Sequence, residues 1–316
     1  MEELTGIVTR GINNIFSVKE AGAVCDDDGK TYMCRIKGKV LSDVIDEYAP
    51  LAVGDKVLFT VHQGSEGLIT RRLDRTSSFM RWNAKKSANQ TVVANMDKIV
   101  IVCSTDEPPF RPRFIDRAIV CAAKSNILIV LNKCDLPLLE EQIERFELFE
   151  TLGYETLKIS AFDEEGIDLL YSRIEGRSVA FVGQSGVGKS TIVNKLMGNQ
   201  IRQTTASVSQ KFNRGRHTTN HSILFHKGQT VIVDTPGVRE LMIPHTDSHL
   251  IQEYFPEFRK SRGKCAYDMC LHEHEPDCDV KRRVENNEIH TDRYESYLRM
   301  LYSLKERGPL WASDRR

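Results

Sequence analysis

The sequence predicts a protein of three parts: an N-terminal β-barrel, a central α/β domain built on a parallel sheet, and a mainly helical C-terminal part. Three observations carry this prediction. Short alternating stretches fill the first ~75 residues, apolar strands alternate with helices through the middle, and cysteines cluster near the C-terminal end. We therefore expect domains at residues 1–75, 97–245 and 246–316, joined by a linker at residues 76–96.

Composition favours a folded protein without membrane spans. Of the 316 residues, 40% are hydrophobic and 28% are charged. The formal net charge is zero, so the charge of the whole molecule does not indicate a nucleic-acid partner. The longest apolar runs, such as Ile127–Leu131, are far shorter than a membrane span. The acidic N-terminus lacks the apolar run of a signal peptide, which predicts a cytoplasmic protein.

The N-terminal part is typical of a small barrel. Turn sequences such as Asp26–Gly29 and Gly54–Asp55 separate short stretches of alternating polarity. These stretches are Thr5–Thr9, Tyr32–Val40, Lys56–His62 and Gly67–Arg72. About five short strands in this length suit an OB-like barrel. An SH3-like barrel is the alternative that the pattern leaves open.

The linker and the residues just before it are basic. The basic residues are Arg71, Arg72, Arg75, Arg81, Lys85 and Lys86, against Asp74 alone. Such a run is most often a solvated segment, and we expect that here. Phe79 and Trp82 could stack on nucleic-acid bases, although core packing is the more common role of an aromatic side chain.

From residue 98 onward, apolar strands alternate with helices. The predicted strands are Ile99–Cys103, Ile127–Leu131, Thr156–Ile159, Val179–Val182, Ser222–Phe225 and Val231–Val233. The predicted helices are Phe114–Ala123, Leu138–Leu152, Ile167–Ile174 and Thr191–Met197. This alternation predicts a parallel sheet covered by helices on both faces. Strands end after about residue 245, and a helical stretch follows at Tyr294–Glu306.

The strongest chemical signal is a P-loop, G-x-x-x-x-G-K-S, between an apolar strand and a helix. Its nucleotide-binding residues are predicted to be Gly183, Gln184, Ser185, Gly186, Val187, Gly188, Lys189, Ser190 and Thr191. The glycines let backbone N–H groups turn toward phosphate oxygens. Lys189 would reach the β- and γ-phosphates as a catalytic group, and Ser190 would bind Mg²⁺.

A second pattern, N-K-x-D, is the one with which GTPases read guanine. It consists of Asn132, Lys133, Cys134 and Asp135. Asp135 would accept hydrogen bonds from guanine N1 and N2, a donor pair that adenine lacks. Lys133 would pack over the base, and Asn132 would connect this loop to the P-loop. Ser160 and Ala161, after the next strand, would supply a backbone N–H to guanine O6.

A third pattern, Asp234-Thr235-Pro236-Gly237, ends the last apolar strand. Asp234 would hold Mg²⁺ through water, and the N–H of Gly237 would meet the γ-phosphate. The polar residues 201–220 precede that strand and are the natural switch I. Thr218 or Thr219 would complete the Mg²⁺ shell when the γ-phosphate is present.

The order of these motifs is unusual. An ordinary GTPase has the phosphate loop first and the guanine reader last, and the reverse order here predicts a circularly permuted GTPase domain. The series N-K-C-D, S-A, G-Q-S-G-V-G-K-S-T, G-R-H-T-T and D-T-P-G resembles the RsgA (YjeQ) family of circularly permuted GTPases over nearly the whole chain. The resemblance implies an OB domain, a permuted P-loop GTPase domain and a zinc domain. It also implies a factor for late maturation of the small (30S) ribosomal subunit, whose slow GTPase the subunit stimulates.

One position departs from the usual GTPase pattern. After Gly237, where many GTPases place a glutamine that orients water, this chain has Val238, which cannot hydrogen-bond to water. Intrinsic turnover should therefore be slow. His217 in switch I is the best candidate to position the water, the resemblance points to the same residue, and Arg239 is a weaker candidate.

The C-terminal cluster is predicted to bind one structural Zn²⁺. Its ligands would be Cys265, Cys270, His272 and Cys278. Three thiolates and one imidazole make a closed tetrahedral shell. His274 could substitute sterically, and only the spacing of the resembled family favours His272.

Two functions follow from these motifs. The first is a GTPase that binds Mg²⁺ with GTP or GDP and times release from small-subunit rRNA. The second is a nucleotide-regulated RNA-binding switch in which hydrolysis is incidental. The basic segments that could meet phosphates are Arg71–Lys86, switch I, Arg259–Lys264 and Lys281–Arg283. We expect a monomer without membrane attachment.

Overall fold

The computed structural model describes residues 3–12, 14–20, 29–38, 47–198 and 222–308. Among these residues, no helix is both long and apolar enough to cross a membrane.

The N-terminal strands form a closed barrel. They are β1 (Glu3–Ile12), β2 (Ile15–Glu20), β3 (Thr31–Ile36), β4 (Lys56–Gln63) and β5 (Glu66–Arg72). Their order is β1-β2-β3-β5-β4, and β1 pairs with β4 to close the barrel. The β3–β5 pair is parallel, whereas the strands of an SH3-like barrel are antiparallel, so the barrel is OB-like. Inward side chains such as Val8, Val18, Phe59 and Ile69 are fully buried.

The strand β2 was absent from the sequence-based prediction. Asn14 adopts a φ of 63°, a left-handed conformation that asparagine tolerates better than most residues. The chain therefore reverses at once, and Ile12 pairs with Ile15. Neither glycine nor proline marks this turn, which is why the pattern missed it.

Most of the predicted linker is a β-hairpin. Its strands are β6 (Ser78–Asn83) and β7 (Ala88–Ala94). Phe79 and Val93 are buried in the main hydrophobic core. Arg75, just before the hairpin, forms ion pairs with Asp55 at 2.6 Å and Glu47 at 2.7 Å. The interpretation as a solvated segment is therefore wrong, because apolar side chains pack inward and a basic one is neutralised.

The central part is a six-stranded sheet. Its strands are β8 (Lys98–Ser104), β9 (Asn126–Asn132), β10 (Glu155–Lys158), β11 (Ser178–Gly183), β12 (Ile223–Lys227) and β13 (Thr230–Asp234). The order is β10-β9-β8-β11-β13-β12, and only the β12–β13 pair is antiparallel. All seven residues of β8 are buried, as expected for a strand covered on both faces.

Helices cover both faces of this sheet. They are α1 (Pro112–Cys121), α2 (Glu140–Thr151), α3 (Glu164–Ile174) and α4 (Lys189–Met197). Ile101 of β8 belongs to the core with α1 and α2, whereas its neighbour Val102 belongs to the core with α3 and α4. The alternation of side chains along β8 thus supplies both cores.

The C-terminal part packs on the α1–α2 face. It consists of 3₁₀ turns at Ser248–Tyr254 and Pro256–Ser261, then α5 (Asp279–Glu285) and α6 (Thr291–Lys305). Tyr297 and Leu301 of α6 belong to the same core as α1 and α2. The C-terminal part therefore completes a layer of the central domain.

A buried ion network fastens α6 to this face. Asp116 of α1 is fully buried and pairs with Arg293 of α6 at 2.6 Å and with Arg145 of α2 at 3.1 Å. Arg293 also pairs with Glu257 at 2.7 Å. Burial alone would lower the pKa of Arg293, but Asp116 and Glu257 hold it above its ordinary value. The sequence does not predict this network, because its members lie far apart along the chain and form no short motif.

Candidate nucleotide site and metal centre

The P-loop connects β11 to α4 at the centre of the sheet. Gly186 and Gly188 adopt φ angles of 89° and 95°, which side-chain-bearing residues rarely adopt. A Cβ at position 188 would also lie 2.3 Å from Nδ2 of Asn132. The loop leads into the N-terminus of α4 at Lys189, where free N–H groups favour an anion.

Lys189 is curled back over the P-loop. Its Nζ donates to the carbonyl oxygens of Gly183 at 3.0 Å and Gln184 at 2.9 Å, and the residue is only 5% exposed. Burial lowers the pKa of Lys189 to about 8, and nearby Asp234 offsets part of this effect. The amine thus occupies a dry site in which an added negative charge would favour its protonated form.

Ser190 and Asp234 offer oxygen ligands side by side. The hydroxyl of Ser190 donates to Oδ2 of Asp234 at 2.9 Å. The other oxygen, Oδ1, is buried and has no hydrogen-bond partner among the described residues. Burial raises the pKa of Asp234, although Ser190 and Lys189 counteract the effect. A hydroxyl beside a carboxylate with an unused oxygen suits Mg²⁺, which prefers oxygen ligands.

Gly237 lies directly against the P-loop. A Cβ at this position would come within 2.8 Å of the Cα of Ser185 and 3.1 Å of Nζ of Lys189. The next residue, Val238, donates its N–H to the carbonyl of Gly183 at 3.3 Å, and its side chain packs against the main core. The position of the missing glutamine is therefore occupied by an apolar side chain held against the core.

Asn132 joins the guanine-reading loop to the P-loop. Its Nδ2 donates to the carbonyl of Val187 at 2.9 Å, and its Oδ1 accepts from the N–H of Ala161, also at 2.9 Å. One buried amide thus connects three segments that the sequence predicts to hold one nucleotide. Ser160, beside Ala161, is half-buried.

The other guanine-reading residues lie at the rim of the site. Asp135 is exposed. Lys133 has a φ of 65° and its Nζ donates to the backbone carbonyls of Asp106, at 3.3 Å, and Glu107. This contact with the loop after β8 was not predicted, because no side-chain pattern marks a carbonyl acceptor. His217, Thr218 and Thr219 lie outside the described residues.

The predicted metal ligands come together. The ligand atoms of Cys265, Cys270, His272 and Cys278 all lie within 4.8 Å of one another. Sγ of Cys265 is 3.9 Å from Sγ of Cys278, and Nδ1 of His272 is 3.3 Å from Sγ of Cys278. A tetrahedron with Zn–S bonds of about 2.3 Å has edges of about 3.8 Å. The cluster could therefore hold a metal ion of that size.

His272 and His274 occupy different environments. His272 is buried, and its Nε2 lies 2.9 Å from Oε1 of Gln252, which leaves Nδ1 facing the sulfur atoms. The side chain of His274 is 82% exposed and lies beside Glu273. An outer partner that fixes the ring is typical of metal-bound histidine. The sequence could not reveal Gln252, since it stands 20 residues before His272 with no pattern connecting them.

Comparisons with known proteins give consistent matches over most of the chain. Residues 72–244 match the family model described as RsgA GTPase, and residues 5–69 match the RsgA N-terminal domain. The chain is 39% identical over 297 residues to the small ribosomal subunit biogenesis GTPase RsgA of Borreliella burgdorferi, covering 93% of this chain and 94% of the relative.

The chain belongs to the RsgA GTPase family.

Two solved structures share its fold. YjeQ from Thermotoga maritima has a TM-score of 0.69 and 28% identity, and the match covers 96% of this chain and 99% of that one. YloQ, described as a circularly permuted GTPase, has a TM-score of 0.67 and 23% identity, covering 98% and 97%. In this chain, the P-loop strand β11 lies in the sheet between β8 and β13. Along the sequence, β8 is the first strand of that sheet and β13 is the last.

Much of the predicted basic surface of this RsgA protein is engaged within the fold. Arg72 and Arg75 pair with Glu47, and burial lowers the pKa of Arg81. The remaining basic residues of that segment, Arg71, Lys85 and Lys86, are exposed. In the C-terminal part, Arg259, Lys260 and Lys264 are exposed and have no carboxylate within 4.0 Å among the described residues.

Proposed function

We propose that this GTPase acts in late maturation of the small (30S) ribosomal subunit in the cytoplasm. The proposal is supported by the name of a relative, small ribosomal subunit biogenesis GTPase RsgA of Borreliella burgdorferi, which is 39% identical to this chain and is covered over 94% of its length. The observation that carries the nucleotide assignment is the pair of hydrogen bonds by which Asn132 joins Val187 to Ala161. Those contacts give the phosphate loop and the guanine-reading loops one fixed relative position.

In this proposal, each loop contributes to GTP binding. Backbone N–H groups of the P-loop and the ammonium of Lys189 hold the β- and γ-phosphates. Asp135 reads guanine, Lys133 packs over the base, and Ser160 and Ala161 lie near guanine O6. Mg²⁺, held by Ser190, Asp234 and a threonine of switch I, would neutralise the charge that develops on the phosphate oxygens.

Hydrolysis is proposed to be slow alone and faster on the subunit. Val238 offers no group to orient the attacking water, and its side chain packs against the core. We assign that task to His217, which the subunit would help to place. The N–H of Gly237 would sense the γ-phosphate, and the chain continues from there into the C-terminal part, so hydrolysis is coupled to release of this protein or of another assembly factor.

The cysteine–histidine cluster is proposed to hold one structural Zn²⁺. Four protein ligands leave no open position for a substrate. The ion would stabilise residues 262–278, where loops dominate and no α-helix forms. The exposed basic residues nearby, Arg259, Lys260 and Lys264, are proposed to contact rRNA phosphates.

GTP turnover with and without ribosomal subunits tests this function. We expect turnover to rise on adding small subunits and to stay unchanged on adding large subunits. His217→Ala should lower the stimulated rate while GTP affinity stays the same; an unchanged rate would remove His217 from the mechanism.

The same measurement discriminates a second function. Since Val238 replaces the usual glutamine, the chain could serve as a nucleotide-regulated RNA-binding switch with incidental hydrolysis. If small subunits do not stimulate turnover, yet co-sediment with the protein differently under GDP and a non-hydrolysable GTP analogue, the binding switch is the better description.

A further inference from the structure

A cavity of about 670 Å³ lies between α1, the segment after Gly237 and α6. Six arginines line it among apolar residues: Arg111, Arg113, Arg117, Arg239, Arg299 and Arg307. Two carboxylates, Glu240 and Asp292, also line it. Asp292 is already paired with Arg113 and Arg145, at 2.6 and 3.1 Å. The cavity therefore contains more positive charge than its own acids neutralise.

Four of the lining arginines, besides Arg307, are in no ion pair with the residues that the structure describes. Arg111, Arg117, Arg239 and Arg299 have no carboxylate within 4.0 Å in the part of the chain that the structure describes. Arg117 is half-buried, and burial lowers its pKa; Arg299 and Arg113 lower the pKa further, while Asp116 and Glu240 offset part of these effects. Arg111, Arg239 and Arg299 are exposed, so Arg117 is the half-buried member of the group; like charges brought together repel one another unless an anion joins them.

Arg307 adds unsatisfied hydrogen-bond donors. Its Nη1 donates to the carbonyl of Ile243 at 2.8 Å, and its guanidinium lies 5.2 Å from the centre of the Trp82 ring. Its Nε and Nη2 are buried and find no acceptor among the described residues. Buried N–H groups without acceptors are costly, so an acceptor supplied by a ligand would be favourable.

The start of α1 faces the same space. Pro112 and Arg113, its first residues, line the cavity. This ten-residue helix has no side-chain cap and no acid in its first turn. The partial positive charge of an uncapped helix N-terminus adds to that of the arginines.

We propose that this cavity binds a phosphate-bearing ligand, at a site separate from the nucleotide site. Guanidinium groups match phosphate oxygens with paired hydrogen bonds, and several such groups converge here from three segments of the chain. The volume admits more than one phosphate. Gln184 of the P-loop and Arg239 after Gly237 share its wall, so the ligand would lie next to the elements that respond to GTP.

Binding of inorganic pyrophosphate to the full chain tests this proposal. The protein is first saturated with GDP and excess Mg²⁺ so that the P-loop is occupied, and pyrophosphate is titrated at about 0.15 M salt to screen loose contacts. We expect saturable binding of one pyrophosphate. Arg117→Gln/Arg299→Gln should weaken it at least about tenfold, because two charge-assisted contacts are lost.

A matched control removes the same charge elsewhere. Arg35 and Arg177 are exposed and lie outside the cavity, so Arg35→Gln/Arg177→Gln should leave the affinity unchanged. GDP affinity and melting temperature should be unaltered in both double variants. If the first variant is unstable, Arg299→Glu alone serves, because Arg299 is exposed. Absence of binding, or an equal loss in both double variants, would overturn the proposal.

The source of the phosphate is determined by competition. Displacement of pyrophosphate by a short oligoribonucleotide would identify the backbone of a nucleic acid. Failure of the oligoribonucleotide to displace it would identify a small phosphate compound. Either result requires the pyrophosphate binding that the arginine substitutions weaken, so both support the site.

Discussion

Asn132 is the residue on which the two halves of the candidate nucleotide site depend. It is buried, and its amide both donates to the P-loop and accepts from the backbone at Ala161. A buried amide used at both ends fixes two loops at once, since moving either loop leaves a polar group without a partner.

Substitution of Asn132 should lower both the stability of the protein and its affinity for GDP. Asn132→Ala leaves the Val187 carbonyl and the Ala161 N–H unsatisfied, which should cost about 1–3 kcal/mol for each buried group. GDP affinity should fall as well, because the loops lose their relative position. Urea unfolding with and without GDP measures both effects. Asn126→Ala, at an exposed asparagine, is the control, and equal behaviour of the two variants would refute the connecting role.

The pKa of Lys189, about 8 against an ordinary 10.5, predicts that nucleotide binding depends on pH. Above pH 8 the free amine is mostly neutral, whereas bound phosphates favour the ammonium, so binding takes up a proton and GDP affinity falls as the pH rises. Without nucleotide, the unfolded chain, in which Lys189 has its ordinary pKa, holds this proton more tightly than the folded chain does. The free energy of unfolding should therefore rise as the pH increases from about 8 to 10.5.

Calorimetry of GDP binding in two buffers of different ionisation enthalpy measures that proton uptake. At about pH 8.5 we expect an uptake of more than half a proton per GDP. Lys189→Arg should abolish it, because arginine stays protonated. Zero uptake in the unaltered protein would contradict the lowered pKa.

At the scale of elements, the buried ion network determines how α6 attaches. Asp116 of α1 accepts from Arg293 of α6 and Arg145 of α2 in a region closed to water. Buried charges are tolerated there because each one has an opposite partner. The guanidinium of Arg293 also lies 4.4 Å from the centre of the Phe255 ring, so apolar packing surrounds the network.

Asp116→Asn should destabilise the protein by about 3 kcal/mol, the lower end for breaking a buried ion pair, because each of two buried guanidinium groups loses one of its two carboxylate partners; Arg293 keeps Glu257, and Arg145 keeps Asp292. Glu295→Ala is the comparison. Glu295 pairs with Arg113 near the surface, where such a pair contributes about 0–1 kcal/mol. The free energy of unfolding in urea distinguishes the two, and a loss at Asp116 as small as that at Glu295 would show that the network is not structural.

Elements with a strong local signal were predictable. The strands β8, β9 and β11 are short apolar runs, and α4 follows a P-loop, so their positions follow from neighbouring residues alone. The hairpin of β6 and β7 was missed, because the basic residues Arg81, Lys85 and Lys86 within it favour a solvated segment when the sequence is considered alone. The stability of the hairpin depends on contacts with distant elements, such as the hydrogen bond from the backbone N–H of Trp82 to the backbone carbonyl of Met242 at 3.0 Å.

The candidate sites also differ in whether a short stretch of sequence contains their residues. The P-loop, the guanine-reading loop and the metal cluster keep their chemistry within short stretches, so spacing predicted which residues come together. The arginine-lined cavity combines residues near 111, 239 and 299, and no stretch of sequence contains more than part of it. Only the fold brings those residues together.

At the scale of the whole molecule, the C-terminal part and the central domain share one core. The rings of Phe258 and His272, a member of the metal cluster, meet edge to face with their centres 5.6 Å apart. The hydroxyl of Tyr294 in α6 donates to the backbone carbonyl of His272 at 2.6 Å. The metal cluster is thus connected to α6, and α6 to the α1–α2 face. Loss of the metal should therefore affect the packing of α6 as well as the four ligands.

Metal removal should therefore loosen the C-terminal part first. We expect one Zn²⁺ per chain by elemental analysis, and chelation or Cys278→Ser should expose residues 262–278 to limited proteolysis. Cys121→Ala is the control. Because Cys121 is buried and lies outside the cluster, this variant should retain the metal. A chain without zinc, or one whose proteolysis is the same after chelation, would exclude a structural zinc site.

The ion network has a consequence for how the chain is made. Translation delivers Asp116 to the exit tunnel 177 residues before Arg293, its partner at 2.6 Å. Until then, Arg145 is the partner available to Asp116, and the α1–α2 face has no α6 to cover it. The α1–α2 face of the nascent central domain therefore stays uncovered until α6, the last helix that the structure describes, has been synthesised. A chain that stops before Arg293 would leave that face exposed and would lack one of the two cations that pair with Asp116.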